Sequence, residues 1–150
     1  MHALESMRSW QLIGKESIRI EELPIPEPGV REVLVRVQAC GICSHSDLCY
    51  FLYCGERPGC SPRKPFGHEM SGYIQKVGAG VRRWAAGDRV FARTVQKTSG
   101  LSEFCIVAEK HLGKLPERFT YIQGAALQQL PIAVHATRMC GPGDTVAILG

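Results

Sequence analysis

The chain has 150 residues, of which 45% are hydrophobic and 21% are charged, a composition typical of a folded globular protein with a real core. Its formal net charge of +4 comes from 18 basic and 14 acidic residues spread along the chain, and its basic clusters are short doublets such as Arg82-Arg83, which argues against a nucleic-acid partner. No apolar run approaches the ~18 residues that span a bilayer, and the N-terminus lacks the apolar segment of a signal peptide, so we predict a cytoplasmic protein with no membrane partner.

The first half of the chain alternates short strands with links rich in glycine and proline. The hydrophobic pattern predicts strands over 7–14, 18–23 and 33–37, and the first two form a hairpin. The third strand leads into Cys40-Gly41-Ile42-Cys43, where the glycine permits a tight turn. A short helix follows over 45–52, with Ser44 or Ser46 as its N-cap.

The second half continues with strands and changes character after Pro116. Strands are predicted over 71–77, 89–92 and 104–107, and many short strands at this spacing favour a small barrel or sandwich over a parallel sheet. Beyond Pro116 the pattern predicts a helix over 121–130, a second from Pro131 to near Cys140, and an apolar strand over 145–149. An apolar strand that ends at a glycine, here Gly150, is how a dinucleotide-binding unit begins.

The seven cysteines predict thiols and metal ligands rather than a disulfide framework. Their count is odd, no secretory signal is present, and five of them lie within residues 40–60. Cys40 and Cys43 have the spacing of a zinc knuckle, so a closed site of four cysteines is one alternative. The other is a catalytic zinc site in which Cys43 and His68 meet because the chain folds back. Glu69 would then either support the ligands without binding the ion or act as a replaceable ligand.

Several motifs, taken in order, resemble those of the zinc-containing medium-chain alcohol and polyol dehydrogenases. They are Cys40-Gly41-Ile42-Cys43, Ser46-Asp47-Leu48, Gly67-His68-Glu69-Met70-Ser71-Gly72, Val77-Gly78-Ala79-Gly80-Val81, Gly87-Asp88-Arg89-Val90, Lys114-Leu115-Pro116-Glu117 and Pro142-Gly143-Asp144-Thr145-Val146. The resemblance implies a mainly β fold in which residues 1–125 form a GroES-like, partly open β-barrel. Residues 126–150 would be connecting helices and the first strand of a truncated dinucleotide-binding Rossmann domain.

The resemblance also implies one catalytic zinc ion. The implied metal ligands are Cys43, His68, Glu69 and Gln128. The implied catalytic residues are Ser46, which receives the proton of the substrate alcohol, Asp47, which orients His68, and the acidic Glu69. Gly150 would contact the cofactor.

The reaction that the family carries out has a clear physical basis. Zinc lowers the pKa of a bound alcohol toward ~7, as it does for bound water, and hydride then passes from the alkoxide to NAD or NADP. The implied substrate is a small alcohol, a polyol or a carbonyl compound, and the full-length parent is expected to be a homo-oligomer. Residues 1–150 alone are expected to be inactive, because most of the cofactor domain would lie beyond them.

The sequence departs from the family pattern around the first ligand. Ser44 and His45 both stand between Cys43 and the Ser46-Asp47 pair, where the family has one residue. Three alternatives follow for the first ligand: Cys43 reached through a bulged loop, His45, or Ser44, which is a poor zinc ligand.

Three further departures lie elsewhere. Cys49 stands where many members have a histidine that passes the proton to solvent, and Gln128 stands where polyol-type relatives have a glutamate ligand. The four-cysteine lobe that normally follows Gly87-Asp88-Arg89-Val90 is missing, so no structural zinc is expected.

Three functions are consistent with these features. The first is the catalytic portion of a zinc-dependent, NAD(P)-linked alcohol or polyol dehydrogenase, which Cys43 and Gly67-His68-Glu69 favour. The second is a zinc-free relative of the quinone- or enoyl-reductase type, which Gln128 and the extra residue before Asp47 favour. The third is a non-catalytic GroES-like binding module, which would not need Cys43 or His68.

Overall fold

The structure is a computed structural model that describes residues 6–63, 65–93 and 97–147. The predicted N-terminal hairpin is present as strands β1 (Ser6–Gly14) and β2 (Ser17–Pro24), which pair antiparallel with Trp10 opposite Ile20. A bulge between Leu12 and Gly14 shifts the register next to the turn.

A five-stranded antiparallel sheet forms the larger part of the molecule. Its strands are β3 (Glu32–Gly41), β4 (Glu69–Val77), β5 (Arg89–Arg93), β6 (Phe104–Ala108) and β7 (Leu112–Lys114). Their order across the sheet is β6-β3-β4-β5-β7. The hairpin joins this sheet through the Trp10 amide, which donates to the Leu101 carbonyl at 2.9 Å, and through a bridge between Ser9 and Ser102. Within the described residues the two sheets do not close into one ring, which confirms the predicted mainly β, partly open architecture.

The core lies on one face of the five-stranded sheet and is built from β-branched and other apolar side chains that alternate along the strands. Its fully buried members are Val33, Val35, Met70, Ile74, Val90, Ala92, Cys105 and Val107. Burial of such side chains contributes about 1.5–3 kcal/mol each. This core therefore holds β3 and β4 in a fixed register, and the site described below depends on that register.

The described residues also form three short α-helices: α1 (Ser46–Leu52), α2 (Tyr121–Ala126) and α3 (Leu130–Thr137). Helix α2 begins with a capping box, in which the Thr120 side chain accepts from the Gln123 amide and the Gln123 side chain accepts from the Thr120 amide. None of the helices in the described residues is long and apolar enough to cross a membrane.

The structure corrects four details of the prediction. Helix α1 begins at Ser46 with His45 in the N-cap position, so neither Ser44 nor Ser46 caps it through its side chain. The helix predicted over 121–130 stops at Ala126 and continues as a 3₁₀ turn over Leu127–Gln129, because Pro131 has no N–H to donate to the Leu127 carbonyl.

The other two corrections concern strands. Strand β7 was not predicted, because its three residues show no alternation of apolar and polar side chains. In the apolar strand predicted over 145–149, residues 145–147 are not in a strand, since no strand of the described residues lies beside them to pair with. Residues 148–149 and the predicted cofactor contact Gly150 lie outside the described residues.

Candidate metal centre

The pairing of β3 with β4 brings two distant parts of the sequence to one end of the sheet. Gly41, the last residue of β3, lies opposite Glu69, the first residue of β4. Cys43 follows two residues after Gly41, and His68 directly precedes Glu69. The antiparallel register therefore places a thiol, an imidazole and a carboxylate beside one another.

Cys43, His68 and Glu69 form a group that has the chemistry of a metal site. One ligand atom from each residue lies within 4.8 Å of the other two, and all three residues are half-buried. Ser44 and His45, the alternative first ligands, are both exposed, and His45 is not part of the group. Thiolate, imidazole and carboxylate are the donors that zinc takes in proteins.

Asp47 holds the two halves of this group together. Its side chain is almost completely buried, with 1% of its area exposed. One carboxylate oxygen accepts from the Cys43 amide at 2.9 Å, and the other accepts from the Gly67 amide at 2.9 Å. The same carboxylate lies 3.6 Å from the His68 Nδ1 atom. Asp47 therefore fixes the backbone next to two of the candidate ligands and stands behind the imidazole ring.

Gly67 is required at its position by both conformation and space. Its φ of +73° lies in the left-handed region that side chains disfavour. A Cβ atom there would lie 2.6 Å from Leu101 Cγ and 3.1 Å from Cys40 Sγ. The glycine lets the chain turn sharply before His68 and approach the end of β3.

Ser46 lies beside Cys43 with its hydroxyl pointing into the protein. The Ser46 hydroxyl oxygen is buried and forms no hydrogen bond of regular geometry with any described residue. Its dipole still lowers the pKa of the Cys43 thiol, helped by the Ser46 and His45 amides and opposed by partial burial and the Glu69 charge. The environment of Cys43 thus favours the thiolate, which is the form that binds a metal.

The neighbouring Cys40 has the opposite character. Burial, together with the charges of Asp47 and Glu69, raises the pKa of its thiol to about 12. Cys40 therefore stays protonated at neutral pH, and of the two cysteines in the Cys40-x2-Cys43 motif only Cys43 has the environment of a ligand.

Glu69 is held by contacts that the sequence did not reveal. Its carboxylate accepts a hydrogen bond from the side-chain amide of Gln129. Gly41 opposite leaves room for the carboxylate, since a Cβ at Gly41 would lie 2.7 Å from Glu69 Oε2. A cavity of about 320 Å³ adjoins Glu69 and is also lined by Ile122 and Ala125.

Gln128 is buried, with 6% of its area exposed, and its side-chain oxygen has no hydrogen-bond partner among the described residues. Its neighbour Gln129, rather than Gln128 itself, contacts Glu69. Sequence reasoning did not single out Gln129, because nothing in a Gln-Gln pair tells which of the two side chains turns toward the sheet.

Comparison with known proteins agrees with the fold. The model of the alcohol dehydrogenase GroES-like domain family matches residues 29–140. The chain belongs to the zinc-containing medium-chain alcohol and polyol dehydrogenase family. Residues 29–140, which include Cys43 and His68, are therefore part of a GroES-like domain, as the resemblance implied.

Individual relatives are similar over most of this chain. Human sorbitol dehydrogenase is 32% identical in an alignment 168 positions long, gaps included, which covers 91% of this chain and 46% of the relative. An alcohol dehydrogenase of Schizosaccharomyces pombe is 37% identical over 128 residues, which cover 83% of this chain and 35% of the relative. The alignment with sorbitol dehydrogenase is longer than the chain itself, so the relative has residues that this chain lacks.

Among solved structures, a candidate zinc-binding dehydrogenase of Sinorhizobium meliloti 1021 with NADP bound superposes with a TM-score of 0.77. It is 26% identical, and the match covers 92% of this chain and 46% of that one. The chain thus spans about half the length of the relatives it matches.

Proposed function

We propose that this chain is the catalytic portion of a zinc-dependent, NAD(P)-linked alcohol or polyol dehydrogenase. The observation that carries the proposal is the meeting of Cys43, His68 and Glu69 at one end of β3 and β4, within 4.8 Å of one another. Membership of the family and the similarity to sorbitol and alcohol dehydrogenases support the same reaction class.

The residues at the site fit a single zinc ion. Ligand atoms around tetrahedral zinc lie about 3.3–3.8 Å apart for bonds of ~2.0–2.3 Å, so small side-chain rotations bring the three donors into range. Two buried oxygens without partners among the described residues, on Ser46 and Gln128, belong to residues that the family pattern assigns to the site. Buried polar atoms normally have partners, so the Ser46 oxygen, which lies beside Cys43, is consistent with a group that binds there.

Each residue then has a definite task. Cys43 and His68 hold the ion, Glu69 is a replaceable or additional ligand, and Gln128 offers a neutral oxygen. When bound, zinc supplies a Lewis acid that lowers the pKa of an alcohol held at the open position. The Ser46 hydroxyl would accept the alcohol proton at its oxygen as its own proton passes on toward solvent, and Asp47 keeps His68 and the Cys43 loop in place.

The division of the chain is also a proposal. Residues 1–125 are assigned to the barrel and 126–150 to connecting helices and the first strand of the cofactor domain, with Gly150 next to the cofactor. The exposure of every described residue from Gln129 onward supports this boundary, because the segment packs little against the barrel. NAD or NADP, one catalytic zinc without a structural zinc, a cytoplasmic location and a homo-oligomeric parent belong to the same proposal. The isolated 150-residue chain should not turn over.

One observation favours a second candidate, a zinc-free reductase of the same family. Gln128 has an amide where polyol-type relatives have a carboxylate, and a neutral oxygen binds zinc more weakly than a charged one. In that protein the thiol of Cys43 and the ring of His68 would remain beside each other without a metal.

Zinc content decides between the two candidates. Protein refolded with Zn²⁺ and then dialysed should hold about one zinc per chain by elemental analysis, and His68→Ala should hold almost none. Cys140→Ser is the matched control, because Cys140 is exposed and distant in sequence from the site. A well-folded wild-type chain without zinc would favour the zinc-free reductase.

A further inference from the structure

Cys49 and Cys60 lie in contact outside the metal site. Their sulfur atoms are 3.8 Å apart, although eleven positions separate them in the sequence. Cys49 belongs to helix α1, and Cys60 lies in the segment 53–63 that follows the helix. Both residues are reduced in the structure.

The segment between them is folded so that the two sulfurs meet. Gly55 and Gly59 have φ values of +83° and +81°, which turn the chain back toward the helix. The Cys60 amide donates to the Arg57 carbonyl, and the Cys60 carbonyl accepts from the Gly55 amide. The Arg57 guanidinium stacks on the Tyr53 ring at 3.7 Å from its centre. The approach of Cys60 to Cys49 is therefore fixed by local structure and does not depend on chance motion of the loop.

The two thiols differ in exposure, which gives them different roles in oxidation. Cys49 is half-buried, whereas Cys60 has 5% of its area exposed. A small oxidant therefore reaches Cys49 first, and Cys60 is the nearby thiol that can react with the product. Closing the pair requires the sulfurs to approach by about 1.8 Å, from contact to the ~2.05 Å of a disulfide.

We propose that Cys49 and Cys60 are a dithiol site that hydrogen peroxide converts into an intramolecular disulfide. The Cys49 thiolate attacks one peroxide oxygen, the O–O bond breaks, and water leaves after protonation, so that Cys49 becomes a sulfenic acid. The Cys60 thiolate then attacks the Cys49 sulfur, the S–S bond forms, the S–O bond breaks, and a second water leaves. Two thiols and one peroxide give one disulfide and two waters.

The disulfide would act on the helix that carries Ser46 and Asp47. Cys49 stands two residues after Asp47, and the Cys49 amide donates to the His45 carbonyl within the same turn. Oxidation would tie the middle of α1 to residue 60. The proposal does not depend on the identity of the metal or of the substrate.

Peptide mapping tests the pair directly. The native 150-residue chain is treated with hydrogen peroxide, remaining thiols are blocked with N-ethylmaleimide, and the protein is digested without reduction. Cleavage after Glu56 separates Cys60 from the helix, and chymotrypsin cleavage at Tyr50 to Tyr53 separates Cys49 from Cys54. We expect a peptide pair joined through Cys49 and Cys60, lighter by two hydrogens than the sum of its parts, which dithiothreitol separates.

Two variants show whether the roles are as proposed. In Cys60→Ser the crosslink should disappear, and Cys49 should persist as a sulfenic acid that dimedone labels. Cys54→Ser, the matched control, removes another buried cysteine of the same segment and should leave the crosslink unchanged. The proposal is overturned if the wild-type crosslink is absent, if it forms only after unfolding in urea, or if Cys60→Ser does not increase dimedone labelling of Cys49.

Discussion

At the candidate metal site, one carboxylate joins two loops that are far apart in the sequence. Asp47 accepts hydrogen bonds from the Cys43 and Gly67 amides and lies behind His68. Hydrogen bonds to an ionised group are stronger than neutral ones, and both amides would lose this charged acceptor without Asp47. The site therefore depends on Asp47 for its shape, although Asp47 is not itself in the group of candidate ligands.

Asp47→Asn should lower the free energy of unfolding by about 2–4 kcal/mol. The neutral side-chain amide has one oxygen that can accept, whereas the carboxylate offers one oxygen to each of the two backbone amides. The NH₂ group of the side chain would therefore face a backbone N–H, which is also a donor. Zinc affinity should fall by roughly 10–100-fold, because the ligands lose their support. Urea unfolding and zinc titration measure the two effects.

Asp144→Asn is the control. The Asp144 side chain also accepts from a backbone amide, that of Gly141, but it is exposed. The change should therefore lower the free energy of unfolding by less than ~0.5 kcal/mol. Equal losses in both variants would contradict the role of Asp47.

Several residues of the site could be predicted from sequence and others could not. Cys43, His68 and Glu69 stand in short motifs whose chemistry is visible in the residues themselves. The hydrogen bond from Gln129 to Glu69 depends on how the 3₁₀ turn docks on β4, which no local pattern encodes. The contact of Cys49 with Cys60 likewise depends on two glycines with positive φ, which sequence alone places only in a loop.

Among the elements, the pair of β3 and β4 determines where the site forms. Two irregularities interrupt their register, one between Leu34 and Val35 and one between Val37 and Ala39. The second lies just before the turn that carries Cys43. Gly72 lies opposite Val37, where the β4 backbone approaches the β3 backbone so closely that a Cβ at residue 72 would overlap the Arg36 carbonyl oxygen.

Gly72→Ala should therefore destabilise the protein by about 1–3 kcal/mol, because the methyl group can be accommodated only if the strands move apart. Thermal or urea unfolding measures the loss. The matched control is Gly14→Ala at the end of β1, where a Cβ would meet nothing within 4 Å, and the expected change is within ~0.5 kcal/mol. Equal stability of Gly72→Ala and Gly14→Ala would contradict the close approach of the β3 and β4 backbones at Gly72.

The longer strands could be predicted from the sequence because they are rich in β-branched residues and because apolar positions alternate along them. The sequence pattern predicts too long a helix after Thr120, since the effect of Pro131 reaches back four residues to the Leu127 carbonyl. Strand β7 cannot be predicted from its own three residues, because it is defined by its pairing with β5.

On the scale of the whole molecule, a packed barrel is followed by a segment with little packing of its own. The described residues after Gln128 are all exposed, among them Leu130, Ile132 and Val134 of α3, which expose about half of their area. The chain spans about half the length of the relatives that it matches. The change of pattern after Pro116 and the family motifs predict a boundary near residue 125, and this division stays a prediction. Residues 148–150 lie outside the described part.

The central claim is that Cys43, His68 and Glu69 together bind one metal ion, and the absorption spectrum of the cobalt-loaded protein tests it most directly. Co²⁺ takes the tetrahedral positions of zinc and reports on them through its visible bands and through a sulfur-to-cobalt band in the near ultraviolet. We predict one Co²⁺ per chain with strong visible bands. The sulfur band should be lost in Cys43→Ser and kept in Cys140→Ser. A spectrum without the sulfur band in the wild-type protein, or one that Cys43→Ser leaves unchanged, would contradict the account.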